Sequence, residues 1–403
     1  MRTAFKCRAY PDPEQAAMLH RTFGCVRLVW NKTLAERQLR YDAEGKRTSY
    51  KETDATLTAW KKTAELAFLG EVSSVPLQQT LRHQHTAFAG FFAGRAKYPR
   101  FKSRANRQVA HYTRSAFRLC GGVLKLAKTV SPLRFVWSFT GVDLADLDPT
   151  MVIVSREPDG RWYVTLAVDT GADPDPLEKT GHAIGIDLGV TDLAVTSDGR
   201  RIANPRHLER KARNLARYQR RMSRCQPGSS NRDKARAKVA RAHRKVRHAR
   251  ADFLHRTTTT LVRTADTIVV EDLNTSGMLK NRHIARATSD CGWGELRRQL
   301  EYKCRRAGRN LVVIDRWYPS SKTCSACGHV LAELSLSVRF WTCASCRTRH
   351  DRDANAAMNI LAAGLAVSAC GGDVRHSGSS RVQSPMKQEL QRREARPTSD
   401  DRS

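Results

Sequence analysis

Two Cys-x-x-Cys pairs place the strongest constraint on how this 403-residue chain can fold. Cys324 and Cys327 form the first pair, and after fifteen intervening residues Cys343 and Cys346 form the second. Each pair can bind one side of a tetrahedral ion while the residues between them form a hairpin, and Gly328 supplies the tight turn after the first pair. We therefore expect one structural Zn²⁺ with four thiolate ligands and no position open for catalysis. Two disulfides or a redox pair are the alternatives, although a redox pair would not require a second Cys-x-x-Cys.

An acidic helix start follows the second pair. Asp351 and Asp353 precede the alanine-rich run 354–363, which predicts a helix over 351–369 with carboxylates at its N-terminus. One aspartate is enough to cap such a helix and to complement its dipole. The second aspartate therefore indicates a further role.

The charge of the chain indicates a polyanionic partner. Lys and Arg total 71 against 39 Asp and Glu, which gives a formal net charge of +32. Nucleic acid is the leading partner because phosphate contacts release counterions, and an anionic membrane is the weaker alternative. The N-terminus has no apolar signal core, and we find no apolar run of about eighteen residues. We expect a soluble cytoplasmic protein that associates with the nucleoid when it binds DNA.

The N-terminal half predicts helices followed by a small β domain. Residues 1–10 alternate as in a strand, and 11–15 predict a helix start with Asp12 as its cap and Pro13 at the first helical position. We expect helices over 11–97 and antiparallel strands over 98–176. Aromatic and basic residues alternate in 98–104, which suits single-stranded nucleic acid, so Arg100 and Lys102 are candidate contacts. A solvated loop would have a similar sequence.

A basic segment lies between residues 206 and 250. It contains seventeen Lys or Arg and only two acids, Glu209 and Asp233, and it predicts two helices separated by 226–231. Charge runs are usually solvated, but this density exceeds what solubility requires and favours a hairpin that contacts phosphates of RNA or DNA. The candidate contacts in this hairpin are Arg213, Arg217, Arg220, Arg221, Arg224, Arg241, Arg244 and Lys245.

Two predicted strands each end in a carboxylate. A buried strand ends at Asp187, and a second, after a long helix, ends at Glu271; the crossover length suits parallel neighbours in one sheet. If these acids converge with Asp353, three carboxylates could hold two hard cations such as Mg²⁺ for in-line displacement at a phosphodiester. The pattern Gly-Ile-Asp-x-Gly around Asp187 also occurs in actin-like ATPases and ribonuclease-H-like nucleases, and a simple turn aspartate remains a reasonable alternative.

Several segments together resemble one protein family. The chain is similar to the TnpB (OrfB) proteins of bacterial insertion sequences, relatives of type V CRISPR effector nucleases, in segments 11–15, 98–102, 185–189, 270–273, 320–328 and 351–360. The resemblance covers nearly the whole chain apart from its tail. It implies an RNA-guided DNA endonuclease that takes guide RNA and target DNA as partners, beside a separate transposase of the same element.

The resemblance also implies an α+β multidomain fold. It assigns a β-barrel-like wedge to 1–10 and 98–176, an inserted helical recognition lobe to 11–97, and a RuvC-like (ribonuclease-H-like) α/β nuclease domain to 177–317, with the basic hairpin at 206–250. A zinc ribbon over 318–350 interrupts the nuclease domain, which resumes in the helix 351–369. We expect disorder over 370–403, which is rich in Gly, Ser, Gln and Arg.

The resemblance assigns functional residues as well. Asp187, Glu271 and Asp353 would bind two catalytic Mg²⁺, and the four cysteines one structural Zn²⁺. Arg347 departs from the family pattern, since many members have Gly after the last cysteine. The alternatives are an RNA-guided DNA-binding repressor without cleavage, a transposase or accessory factor in transposition, and an actin-like ATPase. The oligomeric state stays open.

Overall fold

The computed structural model describes residues 2–105, 107–169, 171, 175–335 and 337–369. The segment 370–403, for which the sequence predicts disorder, lies outside the described residues. The chain divides into two compact units: residues 1–175 with 206–256, and residues 176–205 with 257 onwards. No helix in the described part of the chain is both long enough and apolar enough to cross a membrane.

The first unit contains a five-stranded antiparallel sheet. Its strands are β1 (Arg2–Tyr10), β2 (Gln108–Thr113), β5 (Arg134–Val136), β6 (Pro149–Arg156) and β7 (Trp162–Asp169), in the order β2-β6-β7-β1-β5, and β3 (Phe117–Cys120) pairs with β4 (Val123–Leu126). Tyr112, Leu124, Val152 and Leu166 are fully buried in the core on this sheet. The N-terminal strand β1 therefore lies between β7 and β5, and the other strands of this sheet lie about a hundred residues or more further along the chain.

Three helices of the first unit form a second core. They are α1 (Pro13–Glu44), α2 (Tyr50–Trp60) and α3 (Ser74–Phe92), and they bury Val29, Leu57 and Leu77. The predicted start of α1 is confirmed, because Asp12 accepts from Gln15 N–H and the Gln15 side chain accepts from Asp12 N–H.

The basic segment folds as two helices, α4 (His207–Ser223) and α5 (Ser230–Thr264). The connection between them, residues 224–229, overlaps the predicted break at 226–231, and α5 extends fourteen residues beyond the predicted end of the hairpin at 250. Leu215 is the one buried side chain of α4, so this helix presents its basic residues to solvent.

The second unit contains a mixed five-stranded sheet. Its strands are β8 (Ala183–Asp187), β9 (Asp192–Thr196), β10 (Arg201–Ala203), β11 (Thr267–Glu271) and β12 (Asn310–Ile314), in the order β10-β9-β8-β11-β12. The strands β8, β11 and β12 are mutually parallel, whereas β9 and β10 continue the sheet in antiparallel pairs. The predicted parallel pairing of the two acid-ended strands is confirmed, and it brings their carboxyl ends to one edge.

The helices of the second unit are α6 (Thr275–Met278), α7 (Ala285–Cys291), α8 (Trp293–Ala307) and α9 (Arg352–Ala369), and β13 (Phe340–Thr342) pairs with β14 (Arg349–Asp351) in a two-stranded hairpin. Ile360 of α9 packs with Val269, Val312 and Ile314 of the sheet.

Two glycines let α9 lie directly against the sheet. A Cβ on Gly185 of β8 would lie 2.2 Å from the Ala357 carbonyl oxygen and 2.5 Å from the Leu361 nitrogen. A Cβ on Gly364 of α9 would lie 2.4 Å from a methyl carbon of Val269. The first contact is with the helix backbone itself, so the helix can take this position only over a strand residue without a side chain. This close approach fixes where the N-terminus of α9, and with it Asp353, meets the sheet.

Candidate active site and metal centre

Asp187 and Glu271 lie at the carboxyl ends of neighbouring parallel strands. Ile186 is the register partner of Val270, so the two acids that follow lie at the same edge of the sheet. Burial, and after it the nearby charges of Glu271 and Asp353, together raise the pKa of Asp187 to about 8. Burial also raises the pKa of Glu271, against the effect of a hydrogen bond that it accepts from Ser320 Oγ at 2.6 Å. The three predicted carboxylates are therefore close enough to affect one another's charge.

The two aspartates at the start of α9 have different roles. Asp351 Oδ1 accepts from Ala354 N–H at 2.9 Å and so caps the helix. Asp353, inside the first turn, takes no part in the cap; Arg339 Nη1 contacts its two oxygens at 3.3 and 3.4 Å, and Arg201 Nη1 lies 3.9 Å away. The expectation that the second aspartate serves another purpose agrees with this division.

The chemistry of the three acids fits hard cations. Within the described residues, nothing donates a hydrogen bond to the partly buried Asp187 carboxylate or pairs with it directly. The charges of two other carboxylates, Glu271 and Asp353, raise its pKa, and the weaker effects of Arg352 and Arg339 lower it. Such a cluster is costly when ionised without a counter-charge, and carboxylate oxygens are the ligands that Mg²⁺ prefers. Arg339 and Arg201, both about half exposed, provide positive charge next to Asp353.

The four cysteines form a compact site. Their sulfur atoms all lie within 4.8 Å of one another, with Sγ to Sγ distances of 3.6 Å for Cys324 to Cys346 and 3.7 Å for Cys327 to Cys343. A tetrahedral Zn²⁺ with bonds of about 2.3 Å separates its sulfur ligands by about 3.8 Å. The donor set and its spacing therefore fit Zn²⁺.

The departure at Arg347 does not disturb the second knuckle. Gly328 N–H donates to the Cys324 carbonyl at 2.9 Å, and Arg347 N–H donates to the Cys343 carbonyl at 3.0 Å. Both residues have left-handed backbone angles, with φ of 78° for Gly328 and 63° for Arg347. Arg347 thus adopts the conformation that glycine adopts in the first knuckle, at some cost in local strain.

Comparison with known proteins identifies the family. The model OrfB_IS605, "Probable transposase", matches residues 163–282; "Cas12f1-like, TNB domain" matches 293–360; and a "Helix-turn-helix domain" model matches 1–46, which fold here as β1 and α1. A "Putative RNA-guided DNA endonuclease" of Streptomyces pristinaespiralis is 55% identical over 395 residues, 97% of each chain. "Putative RNA-guided DNA endonuclease InsQ" of Escherichia coli (strain K12) is 32% identical over 96% of each chain.

This chain belongs to the TnpB (OrfB) family. A solved structure described as "Cryo-EM structure of the Cas12f1-sgRNA-target DNA complex" covers 90% of the TnpB-family chain and 98% of its own, with a TM-score of 0.55 and 14% sequence identity. At this identity the likeness concerns the fold, and it agrees with the mixed α/β architecture described above.

Hydrogen bonds connect the first cysteine knuckle of this TnpB-family protein to α9. The side-chain amides of Asn355 and Asn359 both donate to the Thr323 carbonyl, at 2.7 and 2.6 Å, and Asn359 also donates to the Ser320 carbonyl at 2.8 Å. Ser325 N–H donates back to Asn355 Oδ1 at 2.9 Å. Because Ser320 Oγ contacts Glu271, this network joins the cysteine site, α9 and one candidate catalytic acid.

Sequence reasoning missed this network. The sequence feature that could have indicated the network is the spacing of the two asparagines. They are four residues apart and hence on one face of the helix, where both are buried. A further contact was missed at His350, whose Nε2 lies 3.0 Å from Cys324 Sγ and whose ring packs on Trp341.

The candidate nucleic-acid contacts of the TnpB-family protein lie in the first unit. Arg100 and Lys102 are exposed on a loop that is fixed to α1, because Trp30 Nε1 donates to the Arg100 carbonyl at 2.9 Å and the Asn31 side chain bonds the Lys102 backbone. The Lys102 ammonium lies 3.8 Å from the centre of the Trp30 ring. This loop is therefore ordered by α1 rather than freely solvated.

The basic hairpin presents most of its predicted contacts to solvent. Its candidates on α4 and in the turn, together with Arg241 and Lys245 on α5, are exposed. Arg244 is different: it is buried, and its guanidinium donates to Asp159 in the turn between β6 and β7. The expectation that Arg244 contacts phosphates is therefore corrected, because a buried cation paired with a carboxylate has no free face for a phosphate. Arg244 instead attaches α5 to that turn, beside the pair of Arg247 and Glu157 at 3.2 Å.

Proposed function

We propose that this TnpB-family protein is an RNA-guided DNA endonuclease that cleaves phosphodiester bonds at Asp187, Glu271 and Asp353. The observation that carries the proposal is the partly buried Asp187 at the end of β8, beside Glu271 at the end of the neighbouring parallel strand; burial and the charges of Glu271 and Asp353 raise the pKa of Asp187. The names of the two full-length relatives support the same activity. The guide RNA would select the target by base pairing, as in RNA-guided effectors generally.

The proposed fold of the catalytic domain is RuvC-like. A sheet of order β10-β9-β8-β11-β12, in which three parallel strands are extended on one side by two strands in antiparallel pairs, supports a ribonuclease-H-like assignment. The hairpin of β13 and β14 beside the four cysteines supports a zinc ribbon. The antiparallel sheet of the first unit and the helices α1 to α3 would be the wedge and the recognition lobe.

In the proposed mechanism Asp187, Glu271 and Asp353 would hold two Mg²⁺. Such ions would supply the activation of the attacking water and the charge stabilisation of the leaving 3′ oxygen. The protein orients the acids in advance: Ser320 donates to Glu271, the Asp351 cap leaves Asp353 free of helix capping, and the Gly185 contact sets the distance of α9 from β8. Arg339 and Arg201 lie next to Asp353 and would balance part of its negative charge.

The remaining parts would bind the nucleic acids. The exposed cations of α4 and α5 would contact phosphates of the guide or target, which agrees with the net charge of +32. A separate transposase of the same element would move the DNA, while this protein cuts.

The test begins with co-expression of the protein and the DNA that flanks its gene, followed by sequencing of bound RNA. A matched plasmid is then incubated with the purified complex and Mg²⁺. We expect cleavage by the wild type and by Asp198→Asn, which changes an exposed acid in the turn after β9, and none by Asp187→Ala. Binding of the matched plasmid without cleavage by the wild type would instead indicate a repressor, and equal cleavage by Asp187→Ala would exclude the catalytic assignment.

A further inference from the structure

Trp317 exposes an unusually large aromatic surface next to the candidate active site. Its side chain is 84% exposed, although a tryptophan usually buries most of its large apolar area. Its neighbours are fixed: the Arg316 guanidinium pairs with Asp272, and Tyr318 packs against the core around Val269. Trp317 N–H also donates to Asp315 Oδ1 at 2.8 Å. The backbone around Trp317 is thus fixed by its neighbours, while the indole ring is exposed to solvent.

The position of Trp317 follows from its place in the chain. Ile314, three residues before it, is the register partner of Glu271, and Ser320, three residues after it, donates to Glu271 at 2.6 Å. Three residues span at most about 11 Å. The backbone of Trp317 therefore lies within about 11 Å of two residues that adjoin the Glu271 carboxyl group.

Phe340 gives a second exposed aromatic ring beside another of the acids. It is 59% exposed on β13, opposite Asp351 in the hairpin register. Arg339, its neighbour in sequence, contacts Asp353, and the Arg349 guanidinium lies 5.6 Å from the centre of the Phe340 ring. Exposed rings thus lie within three residues in sequence of side chains that contact Glu271 and Asp353, each with an arginine close by.

Aromatic rings interleaved with cations suit a strand whose bases are unpaired, because stacking requires a free base face and the cations contact the backbone phosphates. A paired duplex offers no such faces within the strand. We infer that Trp317 and Phe340 stack on unpaired bases of the DNA strand that flank the phosphodiester at the three carboxylates. This role as positioning residues rests on the proposed function for the identity of the strand.

A binding experiment tests stacking without any cleavage. The Asp187→Ala protein is mixed with single-stranded DNA in which 2-aminopurine replaces one base at a time, and its fluorescence reports stacking. We expect quenching at one or two positions, lost with Trp317→Ala and retained with Trp317→Phe. Loss of one stack weakens binding about fivefold to 150-fold. Tyr41→Ala, which removes a ring that is 56% exposed on α1, is the matched control and leaves the signal unchanged.

A cleavage experiment tests the same contact by combining the protein variant with a change in the DNA. In single-turnover reactions an abasic nucleotide at the quenched position should slow the wild type as much as Trp317→Ala does, and should slow Trp317→Ala no further. A structural role for Trp317 would give additive losses and a lower melting temperature instead.

The two experiments separate the two proposals. If the quenching is position-specific but the wild type does not cleave, the proposed function is refuted and the stacking inference stands. Cleavage that Trp317→Ala and Phe340→Ala do not slow, with unchanged quenching, would overturn the stacking inference alone.

Discussion

Replacing Gly185 with alanine tests whether the contact between α9 and β8 sets the active-site geometry. The new Cβ would lie 2.2 Å from the Ala357 carbonyl oxygen, whereas an ordinary carbon–oxygen contact is about 3.3 Å or longer. The helix must therefore move by about 1 Å, and it carries Asp353 with it. A misplacement of about 1 Å can cost roughly 100-fold in rate, and overpacking costs about 1–3 kcal/mol of stability.

The assay is single-turnover cleavage of a matched plasmid by the guide-loaded protein, together with thermal melting. We expect Gly185→Ala to cleave about 100-fold more slowly and to melt roughly 2–12 °C lower. Gly24→Ala is the matched control, because a Cβ there meets nothing within 4 Å and alanine favours the helix α1 by about 0.5–1 kcal/mol.

A second pair of variants separates backbone from side-chain contact. Gly364→Ala meets the side chain of Val269, so the double variant Gly364→Ala/Val269→Ala should regain part of the lost rate. The Gly185 contact is with helix backbone, so no truncation of an α9 side chain should restore Gly185→Ala. If Gly185→Ala cleaved and melted like the wild type, the proposed control of Asp353 by the helix contact would be wrong.

Three more predictions concern protons, zinc and the asparagine network. The pKa of Asp187 is about 8 in the fold against 3.8 ordinarily, so its contribution to the stability of the protein without Mg²⁺ is present below pH 3.8 and is lost as the pH rises through 8. Thermal melting from pH 5 to 9 should show this loss of stability in the wild type but not in Asp187→Asn. The apparent affinity for Mg²⁺ should rise with pH. Cys343→Ser should lower bound zinc, measured by elemental analysis, and the melting temperature, whereas Cys120→Ser at an exposed cysteine should keep both. Asn359→Ala leaves buried carbonyls short of a donor and should cost about 1–3 kcal/mol in urea unfolding; no measurable change would show that the network does not hold the knuckle.

Local sequence patterns were sufficient for much of the fold. The cap at Asp12 and the paired cysteines depend on residues a few positions apart, which a sequence displays directly. The parallel pairing of β8 and β11 could be predicted because buried runs ending in acid, joined by a long crossover, fit one sheet. The boundaries of the proposed domains stay predictions, as do the exposed nucleic-acid contacts.

Other features depend on partners far away in sequence. Arg244 has the same local surroundings as its exposed neighbours in the basic hairpin, and only the fold brings it to Asp159, 85 residues away. The partners of Asn355 and Asn359 lie 30 to 39 residues away, so from the sequence alone the two residues can be identified only as polar positions of a helix. Gly185 likewise resembles any flexible residue until α9 is placed on it.

The link from the cysteine knuckle through Asn355 and Asn359 to Glu271 has a consequence for biosynthesis. Asp187 and Glu271 leave the ribosome early, but the knuckle and Asp353 are made near the end of the described chain. Under the proposed mechanism, a nascent or prematurely terminated chain lacks one acid, and a complete chain without zinc lacks the support for another. On this mechanism the order of synthesis itself would protect the cell from an immature nuclease, and cutting would begin only after the last segment has docked and zinc has been loaded.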